Sequence, residues 1–184
     1  HTKGQKQASA PAPAPAPAKA VAAVGASSRK TQHLDLVAAG KTFAALLANP
    51  AAPENQKAVR ETLNTLCRDF GMLDRDAGTV GAFRIESRSK EQLPSGVGGI
   101  HDWDGSIIVR DKSIKRAQDL VAALAAGQAG NPKGAKGMHV LVHEAVHGHS
   151  PIRREQFKGR YRLLEEATTE MAARKVMKDA FGVG

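Results

Sequence analysis

The chain has 184 residues, of which 27 are Lys or Arg and 18 are Asp or Glu, so its formal net charge at neutral pH is +9. Apolar residues make up 41% and aromatic residues 4%, which allows the core of one domain, built mostly from Ala, Val, Leu and Ile. The single cysteine excludes an internal disulfide framework and a Cys-rich zinc module, and no apolar run reaches the roughly 18 to 20 residues that a membrane-spanning helix needs.

The first thirty residues differ in composition from the rest. They contain five basic residues and no acidic one, and residues 10–17 alternate Ala with Pro. Alternating prolines favour an extended spacer that cannot build a core, so residues 1–30 are predicted to be a disordered linker and residues 31–184 the folded domain. The linker lacks the apolar stretch of a signal peptide. Because the chain begins with His1, we expect an upstream carrier domain or delivery machinery, and secretion or delivery into a target cell as part of a larger protein.

The distribution of charge bears on the partner. A net charge of +9 is typical of nucleic-acid-binding proteins. The linker accounts for +5 of it, whereas residues 31–184 carry 22 basic and 18 acidic residues, or +4. A nucleic-acid partner is therefore not expected.

Two helices are predicted to open the domain. Apolar residues recur at helical spacing from Leu34 to Leu47, and Pro50 closes that segment. A second helix is predicted from Pro53, near its first turn, to Gly71. Its apolar face consists of Val59, Leu63, Leu66, Cys67 and Phe70, so Cys67 is predicted to be a small buried hydrophobe.

The middle of the chain changes to the pattern of β-strands. A strand is predicted over residues 80–85, and the Asp-Gly dipeptide at 104–105, between two extended runs, predicts a hairpin. A third helix is predicted from Ser113, acting as its cap, to Ala126. The Gly- and Pro-rich residues 127–137 are predicted to form a loop.

The strongest functional motif follows that loop. His143 and His147 lie four residues apart, so on a helix both imidazoles share one face and can bind one metal ion. Glu144 comes directly after the first histidine, where it can act as a general base on a metal-activated water. The flanking residues are apolar, as expected of a buried helix: Val140, Leu141, Val142, Ala145 and Val146.

A second acidic helix is predicted to supply the third ligand that a catalytic zinc usually takes from the protein. Glu166 is the preferred candidate because it shares a helix face with Glu170, and its neighbour Glu165 is the alternative. Glu170 has two open interpretations. It can accept a hydrogen bond from a ligand imidazole, or it can pair with Arg174 one turn later.

Residues outside this motif are further candidates or have open roles. Tyr161 is a candidate catalytic residue, as a donor to the oxyanion of a tetrahedral intermediate. The roles of His139 and His149, on either side of the motif, stay open, and both are more typical of bystanders. His101 and Trp103 lie at the tip of the predicted hairpin without an assigned function.

These motifs carry a resemblance to a known family. His143-Glu144-x-x-His147, followed 19 residues later by Glu166 and then Glu170, resembles the thermolysin-like gluzincin layout over roughly residues 80–180. In that group two histidines and a glutamate bind zinc, and an acid one turn later orients a histidine. The short domain is more similar to compact effector and toxin peptidases, and to peptidase-like proteins of phage particles.

The resemblance implies a fold and an activity. The fold is α+β and zincin-like, with a short twisted β-sheet on a buried metal-binding helix and a second ligand-bearing helix. The activity is that of a zinc metallopeptidase, an endopeptidase rather than an exopeptidase, acting on a protein or peptide substrate. Zn²⁺ on His143, His147 and Glu166 would activate a water, and Glu144 would take its proton. The domain would be the effector or toxin part of a larger delivered protein; the alternative is a structural component of a phage or secretion machine with a retained zinc site.

Overall fold

A computed structural model describes residues 38–71, 84–103, 105–150 and 158–183. Within them the chain is α+β, as predicted, with five α-helices and one three-stranded sheet. The elements are α1 (Ala38–Ala48), α2 (Pro53–Phe70), β1 (Arg84–Arg88), β2 (Gly99–His101), β3 (Ser106–Arg110), α3 (Asp111–Ala125), α4 (Pro132–His147) and α5 (Gly159–Phe181), with a 3-10 turn at Lys90–Gln92. The predicted linker 1–30, the start of the first helix and residues 80–83 of the first strand lie outside the described residues.

The sheet is mixed, with the strand order β1-β3-β2. β1 runs parallel to β3, with Arg84 opposite Ser106, and β2 runs antiparallel to β3, with His101 opposite Ile107. The hairpin between β2 and β3 confirms the prediction, and Gly105 in its turn has a φ of +85°. β3 is the central strand and its first four residues are buried, whereas β2 lies at the edge of the sheet.

α4 lies at the centre of the domain. It contacts α2, α3, α5 and the strands β2 and β3. One face of α4 enters the core through fully buried side chains, namely Met138, Leu141, Val142 and Ala145. α2 matches its predicted bounds, and Cys67 is buried among Val59, Leu63, Leu66 and Phe70, as predicted. None of the described helices is both long and apolar enough to cross a membrane.

The structure corrects two predictions about helix starts. α3 begins at Asp111 with Arg110 at its N-cap, so Ser113 is not the cap but a buried residue of the first turn. α4 begins at Pro132, inside the segment that was predicted to be a loop. The side chain of Asn131 accepts a hydrogen bond from the Gly134 amide at 2.7 Å, and Pro132 fits the first helical position, so both residues favour a helix start here.

Two glycines of this segment, Gly134 and Gly137, lie within α4 and serve close helix packing. A Cβ atom at Gly137 would lie 2.5 Å from the Cβ of Arg116, and one at Gly134 would lie 3.0 Å from the Cβ of Leu120. The two glycines therefore let the backbone of α4 approach α3. That contact outweighs their low helix propensity.

Candidate metal centre

α4 and α5 bring the three predicted ligands together. His143 and His147 lie one turn apart on α4, with their Nε2 atoms 3.1 Å apart. α5 packs across α4 and places Glu166 Oε2 at 3.5 Å from each of those nitrogen atoms. The three atoms form a nearly regular triangle in which each side joins two potential ligand atoms.

This triangle fits a tetrahedral zinc ion. Zinc binds imidazole nitrogen at about 2.0–2.1 Å, so two ligand atoms of a tetrahedral site lie about 3.3 Å apart. The separations among His143, His147 and Glu166 are within a few tenths of an ångström of that value. Three ligands leave the fourth vertex for water or substrate, which is the arrangement of catalytic zinc sites and not of closed structural ones.

Behind the ligands, each imidazole meets a second carboxylate through its Nδ1 atom. His147 Nδ1 lies 2.7 Å from Glu165 Oε1, and His143 Nδ1 lies 3.2 Å from Glu170 Oε2. When Nδ1 donates to a carboxylate, Nε2 keeps its lone pair for a metal, and the ring is held in place. Burial and the neighbouring His147 lower the pKa of His143, although Glu166 and Glu170 oppose them. Burial also acts to lower the pKa of His147, but Glu165, Glu144 and Glu166 together outweigh it and raise that pKa.

The structure separates the roles of the two adjacent glutamates. The side chain of Glu166 is 42% exposed and faces the ligand nitrogens, whereas that of Glu165 is 4% exposed and lies behind His147. Ser150 and Thr169 hydrogen-bond to the Glu165 carboxylate, and with His147 they outweigh burial and lower the pKa of this acid. Glu166 is thus placed where it could bind a metal together with the two Nε2 atoms, whereas Glu165 contacts Nδ1 of His147.

Glu170 combines both interpretations that its sequence position left open. Its Oε2 lies 3.2 Å from His143 Nδ1 and 2.9 Å from His139 Nε2, and its Oε1 accepts a hydrogen bond from Arg174 Nε at 2.6 Å. Burial would raise the pKa of Glu170, but the hydrogen bonds from Arg174 and His139 lower it to about 2. His139 therefore belongs to the support of the site. His149, by contrast, bonds to Asn64 of α2 at 2.9 Å.

Glu144 is in the position of a general base. Its side chain is only 8% exposed and lines the same cleft as the ligands. Burial raises the pKa of Glu144 to about 7, partly offset by the charge of His147 and a hydrogen bond from the His101 backbone amide.

The cleft itself has a volume of about 360 Å³ and is bounded by both helices and the edge strand. β2 contributes Gly99, Ile100 and His101, and Trp103 follows at the rim with 40% of its surface exposed. A Cβ atom at Gly99 would lie 2.8 Å from Glu144 Cγ, so only glycine leaves room for the base.

Tyr161, the candidate oxyanion donor from the sequence, lies at the exposed start of α5. Tyr161 is 51% exposed at the start of α5, with the Arg160 guanidinium 5.4 Å from its ring centre. It is not among the described residues that line the cleft, whereas His101 is. The sequence offered no signal that His101 would line the cleft. For the contact of Glu165 with His147, the one available signal was the i, i+4 spacing of Glu165 and Thr169 on the buried face of α5.

Comparison with known proteins gives no match, since no family model, no characterised protein and no solved structure is significantly similar to this chain. The function of the cleft therefore has to be inferred from its own geometry.

Proposed function

We propose that residues 31–184 form a zincin-like zinc peptidase domain, with a metal held by His143, His147 and Glu166. The observation that supports it best is the triangle of two Nε2 atoms and one carboxylate oxygen, with sides of 3.1 to 3.5 Å, beside the buried carboxylate of Glu144. Zinc bound there would act as a Lewis acid on a carbonyl oxygen and lower the pKa of a water.

In this proposal the chain's own residues do the proton transfers. A carboxylate oxygen of Glu144 accepts the proton of the attacking water and then passes it to the leaving amine. The carboxylate is placed for this because it is buried in the same cleft as the three proposed ligands. Glu165 and Glu170 keep the two imidazoles oriented throughout.

The substrate proposed is an extended segment of a protein or peptide. β2 is an edge strand beside the cleft, and an extended chain can add to such an edge through main-chain hydrogen bonds. The backbone of Gly99 and the carbonyl of His101 are the groups proposed for this pairing, because the His101 amide donates to Glu144. A segment bound along β2 passes over the ligand triangle and continues on both sides, which favours cleavage within a chain over trimming of its end. Delivery of the domain by an upstream carrier through the linker 1–30 belongs to the same proposal.

The test uses the full 184-residue chain and unfolded casein as substrate. We expect one zinc per chain by elemental analysis, cleavage of casein, and loss of cleavage on chelation with recovery on zinc addition. Glu144→Gln should keep the zinc and lower the rate by about 10²- to 10⁴-fold, because only the proton acceptor is removed.

The matched control is Glu61→Gln, the same chemical change on the exposed surface of α2, where Glu61 lies 3.9 Å from Lys57. This control should cleave like the parent. Absence of bound zinc would contradict the metal site. Zinc without cleavage in the parent would favour a structural role in a larger particle, and Glu144→Gln cleaving at the parental rate would overturn the assignment of the base.

A further inference from the structure

The backbone of β2 alternates between the sheet and the cleft. The amide of Asp102 donates to Ser106 O at 2.7 Å and the amide of Arg110 donates to Gly98 O at 3.1 Å, so residues 98 and 102 bond to β3. In an antiparallel pair every second residue turns its polar backbone groups to the other side. The backbone groups of Gly99 and His101 therefore point away from β3, which agrees with the hydrogen bond from the His101 amide to Glu144.

Side chains on β2 follow the same two-residue period. Residues 99 and 101 lie on one face of the strand, and at Gly99 that face meets Glu144, since a Cβ there would lie 2.8 Å from Glu144 Cγ. The face that holds Gly99 and His101 is thus the face toward α4. Because Gly99 has no side chain, the side chain of Glu144 can occupy the space beside it. The next side chain on that face is the imidazole of His101.

The ring of His101 lies across the cleft from a ligand. Its centre is 6.2 Å from that of His147, with 21° between the ring planes, and the ring of Trp103 meets it edge-on at 6.2 Å. Among the described residues, the atoms that gather within 4.8 Å of one another around this point belong to His143, His147 and Glu166, and His101 is not one of them. His101 therefore lines the same cleft as the three potential ligands without being one of them.

We propose that His101 is a catalytic residue that donates a ring N–H hydrogen bond to the oxyanion of the tetrahedral intermediate. This inference rests on the proposed function and assigns to the edge strand the role that the sequence had given to Tyr161. The donor is held in advance, because β2 is fixed by its register with β3 and the ring is bounded by Trp103. Preorganised donors of this kind stabilise charge that develops only in the transition state.

The experiment measures binding of two small anions to the zinc-loaded full chain. Methylphosphonate can place one oxygen on the metal and offer a second oxygen to a donor, whereas azide binds the metal through one end and offers no oxygen. We expect His101→Ala to weaken methylphosphonate binding by about ten- to hundredfold, the usual effect of losing a hydrogen bond to a charged group. The affinity for azide should stay within threefold of the parental value. His101→Gln retains an N–H donor, so it should recover part of the lost affinity for methylphosphonate.

Tyr161→Phe tests the rival donor in the same assay and should bind both anions like the parent. Equal methylphosphonate binding by His101→Ala and the parent, or a loss confined to Tyr161→Phe, overturns the assignment. Where casein is cleaved, His101→Ala should also lower kcat by about 10²- to 10³-fold with little change in KM. The affinity of the zinc-loaded chain for methylphosphonate tests the role of His101 without any need for cleavage. Casein cleavage by the parent tests the proposed function, so failure of one proposal can be told apart from failure of the other.

Discussion

The two sides of the cleft are built in different ways. The helical side consists of α4 and α5, where the ligands and their supporting acids repeat at intervals of four residues: His139, His143 and His147 on one helix, and Glu166 and Glu170 on the other. The strand side is β2, where Gly99 and His101 reach the site only because the hairpin fixes their register against β3. In the proposed function, the helical side would therefore bind the metal, whereas the strand side would position Glu144 and the substrate.

The largest expected effect comes from removing a ligand on the helical side. We expect His147→Ala to lower zinc affinity by more than 100-fold, because it removes one of three ligand atoms and leaves Glu165 buried without its imidazole partner. Competition with a chromogenic chelator measures this loss. Zinc affinity within tenfold of the parent would show that the ligands are elsewhere.

The supporting acids on the same side should have smaller and unequal effects. Glu165→Gln should lower zinc affinity by about 10- to 100-fold, the usual range for partners of ligand histidines. Glu170→Gln should lower zinc affinity by a smaller factor. The side chain of Glu170 is 34% exposed and its second oxygen is held by Arg174, whereas the side chain of Glu165 is only 4% exposed. The same chelator competition ranks the two variants, and the reverse order would contradict the burial argument.

A change on the strand side should separate catalysis from metal binding. Gly99→Ala places a methyl group 2.8 Å from Glu144 Cγ, so the flexible carboxylate has to move away from the cleft. We expect about tenfold slower casein cleavage with the zinc stoichiometry unchanged, measured on the same preparation. Loss of zinc in this variant would mean that the two sides of the cleft are not independent.

Cys67 provides a check that such variants act locally. Burial in the core raises the pKa of this thiol to about 12, so it stays protonated and unreactive in the folded chain at pH 8. In the unfolded chain the thiol ionises near pH 9, so the free energy of unfolding should fall as pH rises above that value. Ellman's reagent should react with Cys67 only after denaturation, in the parent and in Gly99→Ala alike. Reaction with the folded variant would show a general loosening of the core.

Much of the helical side could be predicted from the sequence because its geometry is local. The i, i+4 spacing of His143 and His147 places both rings on one face of any helix, whatever surrounds it. The buried face of α2 was predicted for the same reason. The start of α4 was missed because Gly134 and Gly137 are typical of loops, and only their contact with α3 explains why they lie in a helix.

The sequence by itself determined the candidate ligands and the candidate base, through two histidines and an intervening acid on one helix and further acids on another. The tertiary structure decided which acid faces the two Nε2 atoms, since the packing of α5 on α4 turns Glu166 toward them and buries Glu165 behind His147. It also brought His101 into the cleft from about forty residues earlier in the chain. Helical spacing can be read along the chain, but the register of a strand and the rotation of one helix against another depend on packing between distant segments.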